Sequence, residues 1–156
     1  MNLRVLEASR HRPSAGDVFV MHPAGMDYLF GRVVSTDANP LGVGGGILIY
    51  VYRATSANKT DVPVLDRDGL VIPPLITNAL PWRRGYFEHV CFRPLTATDV
   101  LPEHRFRDPL TGAFRDERGN VAPATPLPCG VWGLHSFRTI DDELSTALGL
   151  PLSADD

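Results

Sequence analysis

Lysine is almost missing from this chain, cysteine is scarce, and no long apolar run occurs. The longest apolar stretches, Ile47–Tyr52 and Leu70–Ile76, fall far short of the roughly 20 residues that cross a bilayer. No membrane span is expected. The first twelve residues hold Arg4, Arg10 and Arg12 but no apolar core of signal-peptide length. Two cysteines, Cys91 and Cys129, cannot make a disulfide framework, and both are expected as reduced thiols in a bacterial cytoplasm. A large charge of one sign is missing as well: 15 basic and 18 acidic residues leave a net charge of −3. Without a global positive field, nucleic acid is not expected as the main partner. Arginine supplies 14 of the 15 basic residues, with Lys59 the exception, which we read as a compositional bias rather than a functional signal.

What the chain does have is breakers. Gly and Pro together take 28 of 156 positions, against a usual share of roughly 12%. That density excludes a helical bundle or coiled coil and favours short strands joined by turns. Asp17–His22 alternates as a first strand, Pro23–Asp27 turns, and Tyr28–Val34 reads as its hairpin partner. Ile47–Arg53 is apolar on both faces and therefore central. Tyr86–Phe92 is a further strand, and Val131–Phe137 a closing one. Two tight turns recur at one spacing, Asp66-x-x-Gly69 and Asp116-x-x-Gly119, each followed by extended residues. One helix is expected, capped by Thr139, running over Ile140–Leu148 and stopped by Gly149 and Pro151. The expected fold is mainly β: a small, partly open antiparallel β-barrel in one domain over 1–156. A β-hairpin excursion would cover 104–123 and a short C-terminal α-helix 139–149.

Several constellations of residues invite a chemical reading. Gly42–Gly46 is glycine-rich, but it leads into a strand rather than a helix, so it lacks the geometry of a phosphate cradle. Asp66–Gly69 opens like a calcium loop, yet Thr77 stands where the closing Glu belongs. His89 and Cys91, two apart on one strand, would share a face, with Cys129 and His135 as the other half of a zinc site. Those spacings match no closed zinc signature. No nucleophile elbow surrounds any serine. No catalytic residue, cofactor or metal is therefore expected. Asp17 and Arg32 would sit opposite each other at the open end of the first hairpin, as an ion pair or with Arg32 reserved for an anion. Trp82, Arg83, Arg84 and Tyr86 form the densest aromatic and arginine cluster. These are residue types enriched at binding hot spots, although Trp82 could equally cap the core.

Taken in order, Gly16-Asp17-Val18-Phe19, Tyr28-x-Phe30-Gly31-Arg32-Val33-Val34, the apolar strand Ile47–Tyr52, and Leu75–Asn78 ahead of Trp82, Gly85 and Tyr86 resemble the immunity protein 26 family of bacterial polymorphic toxin systems, such as those of contact-dependent inhibition. The resemblance covers Pro13 to about Val90. It implies a predominantly β, non-enzymatic protein that binds and occludes a cognate toxin domain and so protects its own cell. Gly16, Asp17, Phe30, Gly31, Arg32 and Trp82 would be its characteristic residues. Arg32, Trp82, Arg83, Arg84 and Tyr86 are the candidate partner-binding set. The alternative is a small β-barrel module for a peptide, a nucleotide or single-stranded nucleic acid.

Overall fold

The computed structural model describes residues 1–40, 42 and 44–154. In chain order it contains β1 (Asp17–Met21), β2 (Tyr28–Ala38), β3 (Gly46–Ser56), β4 (Leu75–Thr77), α1 (Leu80–Arg83) and β5 (Glu88–Phe92). These are followed by β6 (Phe106–Arg107), β7 (Phe114–Arg115), β8 (Val121–Ala122), β9 (Gly130–Val131), β10 (Leu134–His135) and α2 (Phe137–Leu148). Six strands form one sheet in the order β10-β4-β3-β2-β1-β5, and four form a second in the order β8-β7-β6-β9. Pairing is antiparallel except for β10 with β4 and β6 with β9. The mainly β expectation holds, but neither sheet closes into a barrel: β10 and β5 lie at opposite edges.

The central sheet stays open because both its faces are covered, so no strand needs to curl round to bury them. β3 is buried from Gly46 through Tyr52, as its two-sided apolar character requires. On one face Phe19, Met21, Leu29, Ile49 and Val51 pack against Trp82, Phe87 and the α2 residues Ile140 and Leu144. On the other, Leu48, Tyr50, Tyr52 and Ile76 meet Phe106 of the second sheet, with Trp132 packed alongside. Each such side chain contributes roughly 1.5–3 kcal/mol by leaving water. Gly31 sits directly across from Phe19, and a Cβ there would lie 2.2 Å from the Phe19 ring. The bare backbone lets that ring lie over β2 and stack on Phe87 with centroids 4.5 Å apart.

Several local expectations shift. The 104–123 segment is more than a hairpin, since its strands β6, β7 and β8 pair in succession and β9 extends them into a sheet. The closing strand is split into β9 and β10. The C-terminal helix begins earlier than expected. Ser136, not Thr139, is the N-cap, and its side chain accepts a hydrogen bond from the Thr139 N–H at 3.3 Å. Gly149 ends the helix at φ 72°, a left-handed position suited to glycine. Both tight turns are built alike. Asp66 Oδ1 accepts from the Asp68 N–H, Asp116 Oδ1 accepts from the Arg118 N–H, and each Asp carbonyl accepts from the glycine three residues on. The 42–46 glycine run includes Val43, which lies outside the described residues.

Candidate partner-binding site

The N-terminal leader decides which arginines meet. Leu3 and Asn2 donate their backbone N–H groups to the Asp141 carboxylate on α2, at 2.6 and 3.0 Å. Further along, the Leu6 N–H donates to the Gly85 carbonyl at 2.8 Å and the Ser9 N–H to the Trp82 carbonyl at 3.0 Å. Gly85 makes this approach feasible. It holds φ 82°, and a Cβ would come within 3.0 Å of the Ala8 nitrogen. The leader is thereby laid across the turn after α1, which brings Arg10 and Arg12 beside Arg83. Two adjoining cavities result and share Arg10 and Arg83 in their walls. One, of about 650 Å³, is lined by Ala8, Ser9, Arg10 and Arg83. The other, of about 840 Å³, runs past His11, Arg12, Ser14 and Asn78. Arg10, Arg12, Arg83 and Arg84 are exposed. Among the described residues none of these four makes an ion pair, so their charge is available to a partner.

Trp82 and Arg32 are elsewhere, and this corrects their assignment to a binding surface. Trp82 is 1% exposed, with its ring edge-on to Phe19 at 5.1 Å and to Phe87 at 5.0 Å. Pro81 in the first turn starts the short helix α1, and one helical turn aims Trp82 inward while Arg83 and Arg84 face solvent. Arg32 is 4% exposed. It donates to the carbonyls of Arg93 and Pro94 at 2.7 and 3.1 Å and pairs with Asp99 at 3.3 Å. Hydrogen bonds from the Thr96 N–H and hydroxyl, and after them the Arg32 guanidinium, hold the Asp99 carboxyl below its usual range. Burial pushes the neighbouring Tyr52 hydroxyl up to about 12. Tyr86 is half-buried and stacks on Phe137 at 5.1 Å.

The expected Asp17–Arg32 pair does not form. Arg32 lies across from Val18, not Asp17, and one residue of offset puts the two charges on opposite faces. Asp17 instead meets His11, its Oδ2 2.9 Å from the ring Nε2.

His89, Cys91, Cys129 and His135 do not come together as a zinc site. His89 lies on the edge strand β5 and His135 on β10 at the far edge, a separation of five strand spacings or roughly 24 Å. Cys91 and Cys129 are both free. Even His89 and Cys91 do not share a face. A bulge at Val90 pairs Cys91 with Val18 but His89 with Phe19, reversing the alternation.

Away from the arginine cleft, a cavity of about 430 Å³ is walled by Pro74, Leu101, His104, Leu127 and Pro128, among others. His104 Nε2 lies 2.5 Å from the buried Tyr50 hydroxyl, and its Nδ1 lies 3.4 Å from Glu117. Burial lowers the His104 pKa against the pull of Glu117, and it raises that of Tyr50. This relay ties the second sheet to the first.

Gly16, Asp17, Phe30, Gly31, Arg32 and Trp82 are all buried. Of the candidate binding set, Arg83 and Arg84 alone are exposed. That Arg10 and Arg12 line the same cleft as Arg83 is not legible in the sequence, because nothing in a leader of mixed composition tells where it docks.

The family model for immunity protein 26 matches residues 14–111. The match runs beyond Val90, where the resemblance had ended. The extension includes Arg93, Pro94 and Asp99, which hold the buried Arg32. No curated protein and no solved structure matches the chain.

Proposed function

Because the chain belongs to the immunity protein 26 family, we propose that it neutralises a cognate bacterial toxin domain by docking through the arginine-lined cleft between leader and α1. The partner is a protein with an acidic patch at or beside its own active site, and occlusion of that site is the mechanism. The chain performs no reaction itself and acts in the cytoplasm of the cell it protects.

The observation that carries this reading is the convergence of Arg10, Arg12 and Arg83 on one cleft, without acidic partners among the described residues. On a chain of net charge −3, a local cluster of uncompensated guanidinium groups is a directional feature. It orients an approaching acidic surface and then offers forked hydrogen bonds to its carboxylates. The surrounding fold is stiff, because the leader is pinned at Asp141, Gly85 and Trp82, so little ordering is needed on binding.

The test begins with capture of a tagged chain in its native host and identification of what survives a high-salt wash. A single toxin-like polypeptide near one-to-one is expected. The double variant Arg10→Glu/Arg83→Glu should then bind that toxin about 100-fold or more weakly, since arginine hot spots contribute about 2 kcal/mol or more each. Its unfolding midpoint should stay close to that of the parent, because both residues are exposed. Unchanged affinity in the double variant would sink the cleft as the docking site. Recovery of assorted nucleic acid that salt removes would favour the generic binding module instead.

A further inference from the structure

His11, Asp17 and His89 place one donor atom each within 4.8 Å of one another, the one such trio among the described residues. We propose that these three side chains form a binding site for a divalent first-row transition metal ion, with Zn²⁺ as the fitting probe.

The donor set is two imidazoles and one carboxylate, the mixture that suits zinc and its neighbours rather than magnesium or calcium. Asp17 Oδ2 lies 2.9 Å from His11 Nε2 and 3.9 Å from His89 Nδ1. Zinc bonds of about 2.0–2.2 Å in tetrahedral array separate donors by about 3.3–3.6 Å. The two observed distances bracket that span, so small side-chain rotations complete the site. Three protein donors leave at least one position open for water or a further ligand. The His11 side chain is 38% exposed, so an ion can enter the cluster from solvent on the leader side.

Two independent features point to a missing partner. Asp17 is 2% exposed, yet among the described residues no Arg or Lys balances its charge. Its pairings are with His11 and His89 alone, and the Ser14 N–H donates to the same Oδ2 at 2.9 Å. His89 Nδ1 is buried without any hydrogen-bond partner among the described residues. The His11 and His89 rings lie 4.2 Å apart. One divalent ion shared by all three donors both balances Asp17 and satisfies His89. The backbone is also adapted to the cluster. The bulge at Val90 turns His89 to the Asp17 face of the sheet, a use to which bulges are often put beside functional sites. The Ser14 N–H donates to that same oxygen and so fixes the orientation of the carboxylate.

The site joins the leader, through His11, to β1 and β5. This trio is distinct from the His89, Cys91, Cys129 and His135 set that the sequence brings to mind.

The test uses the full chain, free of tag and treated with a chelator, titrated with Zn²⁺ by calorimetry and with Co²⁺ by visible absorption. One ion per chain is expected, with a d–d band of four- or five-coordinate Co²⁺ that excess Zn²⁺ removes. His11→Gln and His89→Gln should each weaken binding by at least about tenfold, while His22→Gln leaves it unchanged. His11 stands on the exposed leader, so its variant keeps the fold even if His89→Gln does not. Absence of saturable binding would overturn the proposal. So would an affinity that His11→Gln leaves unchanged, which would mean adventitious surface ligation only.

Discussion

Trp82→Ala separates core from interface more sharply than any other single change. In the structure the indole packs edge-on against the stacked pair of Phe19 and Phe87, and its own carbonyl receives the leader's Ser9 N–H. Its Nε1 has no hydrogen-bond partner among the described residues, so truncation removes packing and little else. Deleting so large a buried side chain costs about 3–5 kcal/mol, combining lost burial with the cavity left behind. For a chain of this size, each kcal/mol lowers the melting temperature by about 2–4 °C, which gives a fall of roughly 6–20 °C. Urea unfolding followed by far-ultraviolet circular dichroism is the suitable assay, because fluorescence would lose one of the two indoles. Arg83→Ala, one residue along and exposed, is the internal reference and should move stability by no more than about 0.5 kcal/mol. A loss below about 1 kcal/mol for Trp82→Ala would refute the packing argument, as such a value belongs to a surface residue.

Two other perturbations follow from buried polar contacts. Asp141→Ala removes the acceptor for the Asn2 and Leu3 N–H groups. It should cost about 1.5–3 kcal/mol and release the leader to limited proteolysis ahead of the rest of the chain; an equally resistant leader would contradict the clamp. His135 holds Glu143 at 3.3 Å through Nδ1 and the Val131 carbonyl at 3.1 Å through Nε2. Burial favours the neutral ring, but the Glu143 and Val131 bonds outweigh it and raise the His135 pKa above the ordinary imidazole value. That stabilisation is complete below the unfolded value of about 6.5 and is lost as pH rises through the folded one. Urea midpoints of His135→Gln should therefore lack this loss on the alkaline side, and an unaltered pH profile would contradict it.

The strands β1, β2 and β3 were legible because their apolar patterns are long, and the two-sided burial of β3 followed from its lack of polar alternation. The open sheet was not legible. Strand composition does not reveal that helix α2 and the second sheet arrive to cover both faces, which is what leaves a barrel unnecessary. The Asp17–Arg32 and His89–Cys91 expectations failed for one shared reason. Both assumed regular alternation and a guessed register, and strand parity inverts with a single residue of offset or one bulge. Val90 carries no glycine or proline to announce its bulge. Trp82 illustrates a different limit. An aromatic flanked by arginines suits an interface anchor, but on a single helical turn adjacent residues point to different sides. Which one faces the core depends on where Phe19 and Phe87 sit.

The same reasoning locates where partner specificity can reside. Gly31 is demanded by the Phe19 ring, Arg32 by the carbonyls at 93 and 94 and by Asp99, and Trp82 by the packed face of the sheet. Each of these residues is committed to an internal partner, so altering one changes stability before it changes recognition. Arg10, Arg12, Arg83 and Arg84 carry no such commitment among the described residues, yet all four stand on backbone that the buried residues hold in place. Their identities can change while the Trp82 and Gly85 carbonyls still receive the leader, since those bonds use main-chain atoms only. A frame of this kind lets surface charge be retuned at little cost in folding free energy. The cleft arginines, rather than the family's buried motif, are therefore where exchange between two such chains should transfer binding preference.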